Sequence, residues 1–325
     1  MSIQTISPQQ MFHCQHAKAY CKNQVVLAEK EAHKNIYIAL NFAKTVLGID
    51  LTLNFSVQWG KPGKANAYWK DKKLSFDIAH YVGDDNKQVR FSRDFTVVAH
   101  EVGHAVAQLF LRKGQDQLMY PGQPGAIEEF IADVFALMAK DWAIRNNLYK
   151  PPRGEPFWSI GDIVVRDQRI CSKTMCKVHK RVIRSFTETK LIYQRLPLDE
   201  NHDYGGVHIN ARILDRIFYD LCDQTTGGDP RKQVQTVGLI VLQTYMLLGK
   251  PYTFENFGKC MVDYLQGNCQ HPCNKKKLAA IDMIRHIWLY SLLRTNSPMT
   301  KNQAHSVIPT AGEPTRWISY RGNCR

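Results

Sequence analysis

No stretch of the chain reaches the roughly 18 uninterrupted apolar residues that a bilayer-crossing helix needs, so no membrane span is expected. The opening segment MSIQTISPQQMFHCQHAKAY holds no apolar run that could serve as the core of a secretory signal. A Sec-type leader is therefore not expected, which leaves a cytoplasmic location or a leaderless export route. Carboxylates are scarce: 29 Asp and Glu stand against 43 Lys and Arg, a net charge of +14. Such a balance favours acidic surfaces or anionic substrates by long-range attraction, and it suits a self-repelling soluble surface equally well. No Cys/His finger, aromatic RNA motif or basic helix accompanies it, so nucleic acid is not an expected partner. None of the nine cysteines forms a Cys-x-x-Cys pair, and their odd number leaves at least one without a partner in the chain. Cys171 with Cys176 and Cys269 with Cys273 are close enough in sequence for local disulfides, and the pattern stays open. Internal repeats are absent too.

What is present is the composition of an ordinary globular protein, 44% hydrophobic and 22% charged, in a chain of 325 residues that can bury one or two cores. From Ala17 to about Leu47 apolar residues recur at helical spacing, giving one or two helices. Leu51 to Trp59 alternates and is rich in β-branched and aromatic residues, and two short apolar runs flank Lys70-Asp71-Lys72-Lys73, which reads as a small meander of strands. Beyond a polar loop from Gly83 to Arg90 the pattern predicts helices over Asp94–Arg112, Ala126–Asn147, Val207–Asp223, Gln233–Leu248 and Lys275–Leu293. The fold class is α+β. An N-terminal lobe over 1–113 carries a helix and the strands, a mainly helical lobe covers 114–294, and 295–325 is a polar, weakly ordered tail.

His100-Glu101-Val102-Gly103-His104 falls inside the helical segment FTVVAHEVGHAVAQLF. Residues four apart share a helix face, so both imidazoles can reach one zinc ion with Glu101 beside it. On its own the pentapeptide also fits two half-buried histidines next to a solvated glutamate. A catalytic zinc needs a third protein ligand and one open position. The next helix starts Gly125-Ala126-Ile127-Glu128-Glu129-Phe130-Ile131-Ala132-Asp133. Glu129 and Asp133 share a face, so the first can ligate while the second accepts the outer N–H of a zinc-bound histidine. An acidic solvated face is the other reading, but these carboxylates lie among Ile127, Phe130, Ile131, Val134 and Phe135, where bare charge is costly.

These blocks resemble the thermolysin family of neutral zinc metalloproteases, whose third ligand is the glutamate of a Gly-Ala-Ile-Asn-Glu-x-x-x-Asp helix. Here Glu128 replaces the asparagine, and the ligand position is kept. Asp203-Tyr204-Gly205-Gly206-Val207-His208-Ile209-Asn210 is similar to the family's Asp-Asn-Gly-Gly-Val-His-Ile-Asn. The resemblance implies that His208 hydrogen-bonds the tetrahedral intermediate and that Asp203 orients it. It further implies that Tyr120, nine residues before Glu129, helps polarise the substrate carbonyl. Asn66-Ala67-Tyr68-Trp69 resembles the family's edge strand that binds substrate backbone, so Asn66 and Ala67 are expected there. For the substrate-clamping arginine, Arg169 is the candidate and Arg166 the alternative. The similarity covers about residues 28–293 and corresponds to a short version of the family, without most of its N-terminal sheet.

On this resemblance the expected activity is that of a zinc-dependent endopeptidase with one catalytic Zn²⁺, a polypeptide substrate, a monomeric state and Glu101 as general base. The alternative is an inactive or regulated module of the same fold that binds an acidic partner. Family members also hold structural calcium, with carboxylates at positions occupied here by Thr96, Lys140, Phe157 and Ser159. Hard Ca²⁺ takes several carboxylates, so calcium is not expected at that paired site.

Overall fold

Val25, Ala28, Ala32, Ile36, Ala39 and Ala43 recur every three or four residues and all are buried, so Lys18–Leu47 forms one long helix, α1, with a continuous apolar stripe. The structure is a computed structural model that describes residues 3–5, 18–60, 66–80, 88–111, 120–164, 183–188, 191–226 and 229–266. The expected helix over Lys275–Leu293 and the tail 295–325 lie outside the described residues.

Five strands, β1 (Ile3–Thr5), β2 (Leu53–Trp59), β3 (Ala67–Lys70), β4 (Lys73–His80) and β5 (Gln88–Arg90), make one sheet. β1 joins β2 and β2 joins β4 in parallel, with α1 as the long crossover between the first two. The steps from β3 to β4 and from β4 to β5 are antiparallel. Asp71 and Lys72 both have positive φ (52° and 58°), the backbone of a tight two-residue hairpin turn that matches strand twist. Among the described residues β3 is an edge strand. β5 falls inside the polar segment expected to be loop, and it pairs only three residues.

Helix α2 (Phe95–Val106) starts where Asp94 caps it, accepting from the backbone N–H of Thr96 at 3.0 Å and Val97 at 3.4 Å. It continues into a wider π-type turn, Ala107–Leu111. Helix α3 (Gln123–Arg145) packs against it. A Cβ on Gly103 would stand 2.9 Å from the Ala132 Cα, so the two helices cross at a distance that only glycine allows. The mainly helical part adds α4 (Asp203–Thr226), α5 (Val234–Leu247) and α6 (Phe254–Gln266). α6 falls outside the helices expected from the sequence, although its buried Phe254, Phe257, Met261 and Leu265 have helical spacing. One hydrophobic cluster runs from Val25 through the sheet and helices to Leu265. Among the described residues no helix is long and apolar enough to cross a membrane.

A small ribbon, β6 (Ser159–Ile160) with β7 (Arg184–Ser185), lies beside α3 and is tied down by charge. Lys140 of α3 is 1% exposed; its ammonium pairs with Glu155 at 2.6 Å and donates to the Pro156 carbonyl at 2.9 Å and the Phe157 carbonyl at 3.1 Å. Thr96 accepts from the Gly161 N–H at 2.9 Å, and Asp94 accepts from the Ile163 N–H at 2.9 Å. Replacing Lys140 by methionine keeps the volume but strands a buried carboxylate. We expect a loss of about 3–5 kcal/mol in urea unfolding. A midpoint within error of the parent chain would show that the ammonium does not hold this segment.

Candidate active site

The α2 and α3 crossing sets His100 and His104 against Glu129. The two Nε2 atoms are 3.0 Å apart, and Glu129 oxygens lie 3.4 Å from His100 Nε2 and 3.5 Å from His104 Nε2. Glu101 also brings a carboxylate oxygen within 4.8 Å of both imidazole nitrogens, so by reach alone either glutamate could complete a metal-binding set. Two imidazole nitrogens and a carboxylate, buried and converging on one point, are the donors that suit a borderline cation such as zinc. Nitrogen lone pairs facing each other at hydrogen-bond distance share at most one proton, and a cation between them and the carboxylate would relieve that crowding.

Electrostatics follow from burial. Desolvation pushes the His104 imidazole down to about 3, so it is neutral and its lone pair is free to ligate. Burial and the Arg184 guanidinium press His100 toward the neutral form too. Asp133, whose Oδ1 is 2.6 Å from His100 Nδ1, and Glu129 outweigh them and push it up to about 9. Burial opposes ionisation of Glu129, yet His208, His104 and Arg184 hold its carboxyl well below the usual range. Glu101 is pushed up to about 7, by burial first, with Glu129 adding to it. That places a proton acceptor near neutral pH in the cleft.

Arg184 is the cation beneath the site. Its Nη1 donates to Asp133 at 2.5 Å and its Nη2 to Glu129 at 2.8 Å, with the side chain 8% exposed. Asp215 of α4 is fully buried near this group. Burial, and then Asp133, raise its pKa well above the usual carboxylate range. The expected Arg169 and its alternative Arg166 lie outside the described residues. The arginine that the described residues bring to the cleft is Arg184, which carries no motif in the sequence and arrives through the β6–β7 pairing.

Three further groups converge. Tyr120 O–H donates to Glu129 at 2.7 Å, and a Cβ on Gly125 would lie 1.7 Å from the Tyr120 carbonyl oxygen, so this glycine lets the tyrosine fold over the helix start. His208 Nε2 stands 3.4 Å from Glu129, while Asp203 takes its backbone N–H at 3.0 Å and lies 2.5 Å from its Nδ1. Asp203, Tyr204, Gly205 and Gly206 all have positive φ, which turns the chain sharply before α4 becomes regular and aims His208 at the centre. On the opposite wall Asn66 precedes β3 and Ala67 starts it, with the Asn66 N–H donating to Asp77 at 3.0 Å. A cleft of about 650 Å³ runs between β3 and the helices, and every expected residue in the described part except Asp133 and Asp203 lines it.

Two family models match the chain: the thermolysin metallopeptidase catalytic domain over residues 28–108 and the thermolysin metallopeptidase alpha-helical domain over residues 116–266. Neutral protease B of Bacillus subtilis is 28% identical over 224 residues, 65% of this chain and 34% of that protein. Protease PrtS of a Photorhabdus species is 28% identical over 264 residues, 73% of this chain and 63% of that protein. A zinc metalloproteinase of Listeria monocytogenes is 32% identical over 156 residues, 48% of this chain and 26% of that protein. The chain thus spans about a third of the first of these curated relatives and under two-thirds of the second.

The fork at Arg184 gives a direct test. Arg184→Lys keeps a positive charge but cannot reach two carboxylates with parallel donors, leaving one of them poorly paired in a buried place. The expected loss is about 1–3 kcal/mol in denaturant unfolding. An unchanged midpoint would mean that a single ammonium satisfies both acids.

Proposed function

Because the chain belongs to the thermolysin family of metallopeptidases, we propose that its cleft hydrolyses peptide bonds within polypeptides, with one Zn²⁺ held by His100, His104 and Glu129. The observation that carries this reading is the approach of one Glu129 carboxylate to within 3.5 Å of both His100 and His104 Nε2, with Glu101 beside them. When bound, zinc polarises the scissile carbonyl and acidifies the water it holds toward a pKa of ~7.

The chain's own residues do the rest. Glu101 takes the proton of the attacking water and passes it to the leaving nitrogen. Tyr120, once its O–H turns from Glu129, and His208 flank the position where negative charge develops and donate hydrogen bonds to it, each worth on the order of 3 kcal/mol in the transition state. Asp203 accepts from Nδ1–H of His208 and, with Glu129, favours the imidazolium, in which Nε2 also carries a donor. Asp133 orients His100 through its Nδ1. Arg184 has five N–H donors and gives two to Glu129 and Asp133, so it can keep both and still offer one to a substrate carbonyl. Asn66 and the free edge of β3 hold an extended peptide in register.

Glu101→Gln should retain about one zinc per chain, because the ligands are untouched, while turnover on peptides falls by roughly two to four orders of magnitude. Glu129→Ala should instead lose zinc by elemental analysis. A Glu101→Gln chain with near-normal turnover would remove Glu101 from the proton path, and a Glu129→Ala chain with full zinc would move the third ligand elsewhere.

Calcium is not required on this reading. Thr96 is committed to Asp94 and Gly161, and the Lys140 ammonium already meets the oxygens of Glu155, Pro156 and Phe157. An ion bound only by the folded state at a hundredfold excess over its dissociation constant would add about 2.7 kcal/mol. Thermal melts with zinc held constant should therefore coincide in calcium-free and millimolar-calcium buffer. A rise of several degrees with calcium would reveal a site built from other residues.

A further inference from the structure

Asp203, Tyr204, Gly205 and Gly206 turn the chain through four consecutive positive φ angles, 55°, 48°, 92° and 74°. Glycine takes this conformation at no steric cost, and aspartate is among the few other residues that visit it readily. Tyrosine is not. A bulky side chain held in left-handed backbone beside a cleft points to a role for that side chain. The two backbone bonds of Tyr204 do not need an aromatic residue: its N–H donates to the Asp199 carbonyl at 2.8 Å, and its carbonyl accepts from the Gly122 N–H at 2.7 Å. What is particular to tyrosine here is the ring. It is partly buried, lines the cleft, and meets the Tyr120 ring at a centroid distance of 5.4 Å with the planes 75° apart. In that edge-to-face geometry the positive rim of one ring meets the negative face of the other.

Tyr120 is the group that gains from such a neighbour. Its O–H donates to Glu129 at 2.7 Å, and hydrolysis requires that hydroxyl to turn toward the developing negative charge. The hydroxyl turns about its C–O bond while the ring stays in place, so the placement of the ring decides where the donor arrives. A group that donates to a transition-state oxygen has to be held to within about 0.5 Å, and a ring free to rock loses rate. Tyr204 grips this tyrosine twice. Its carbonyl holds Gly122, the cap through which the chain passes from Tyr120 into α3, and its ring packs on the Tyr120 ring itself. Asp203, one residue earlier, contacts His208 through both its backbone N–H and its Nδ1. One turn thus sets both side chains that flank the developing charge, Asp203 acting on His208 and Tyr204 on Tyr120.

We infer that Tyr204 is a positioning residue, whose ring holds the ring of Tyr120 in the orientation from which the Tyr120 hydroxyl reaches the oxyanion. The inference rests on the peptidase reading. It gives Tyr204 no contact with the reacting atoms, so its effect passes through the Tyr120 hydroxyl and falls on kcat rather than on KM.

Asparagine is the informative replacement, because it tolerates left-handed backbone and removes the ring without adding strain. The test uses the full chain loaded with zinc on a peptide substrate, with kcat expressed per zinc-loaded chain so that any loss of folded protein stays out of the rate. Tyr204→Asn should lower kcat by about two- to tenfold, the strength of an edge-to-face pair expressed as a rate, and leave KM unchanged. Tyr204→Phe keeps the ring and should keep the parent kcat. A double-mutant cycle then isolates the route: once Tyr120→Phe has removed the hydroxyl, adding Tyr204→Asn should cost nothing further in kcat. An unchanged kcat in Tyr204→Asn, a loss carried by KM, a Tyr204→Phe chain as slow as Tyr204→Asn, or an equal loss with and without the Tyr120 hydroxyl overturns the inference and leaves the peptidase reading standing. A parent chain that cuts no peptide overturns both.

Discussion

Arg184 is the group that allows so many charges to share the space between α2 and α3. Glu129, Asp133 and Glu101 are 2%, 0% and 6% exposed, and two imidazoles lie among them. An isolated buried carboxylate stays ionised only with charge and hydrogen bonds to compensate desolvation. The fork from Arg184 supplies both to Glu129 and Asp133, and burial shifts Asp215 toward its neutral form. The arrangement also needs the close helix crossing at Gly103. A larger residue there would push α3 outward by the Ala132 backbone, and the 3.4 and 3.5 Å approaches of Glu129 to the imidazoles would open with it.

The rest of the local architecture delivers single groups to this cluster. Asp203 and Tyr204 hold left-handed backbone at φ 55° and 48°, a conformation that costs non-glycine residues about 1–2 kcal/mol each. Against that strain stand the two contacts of Asp203 with His208 and the bond from the Gly122 N–H to the Tyr204 carbonyl at 2.7 Å. The same turn therefore joins the start of α3 to the start of α4, and it places Tyr120 and His208 on opposite flanks of Glu129. Backbone strain at a position so over-determined by hydrogen bonds belongs to pre-organisation of the site.

Helical periodicity made much of this legible in the sequence. α1, α2, α3, α4 and α5 begin or end within a few residues of their expected bounds, because an apolar stripe is local information. The i, i+4 rule likewise puts His100 with His104 and Glu129 with Asp133 on shared faces; the two imidazoles meet at 3.0 Å, and the two carboxylates both take donors from Arg184. What stayed hidden depends on distant chain. The parallel registry of β2 with β4 involves residues 19 apart in sequence and has no local signature. Arg184 and Asp215 reach Asp133 from 51 and 82 residues away, and neither lies in a recognisable block. Short strands such as β1, β6 and β7, of two or three residues, carry too little alternation to read.

Lys140 and Arg184 turn out to be parts of one support. The ammonium of Lys140 gathers the carbonyls of Pro156 and Phe157, and Ser159 Oγ donates to Pro156 at 2.7 Å, which fixes the chain entering β6. Thr96 holds Gly161 on the far side of that strand, from the first turn of the helix that carries His100. Ile160 of β6 then pairs in register with Arg184 of β7. A cation fixed on the backbone of α3 thus positions a second cation that neutralises Glu129 and Asp133 on the same helix. Because both charges are covalently part of the chain, this support does not depend on the concentration of any ion in solution, unlike one assembled around a bound metal. It also ties the geometry of the acidic cluster to the integrity of residues 155–164, so a change at Lys140 reaches the cleft through the backbone.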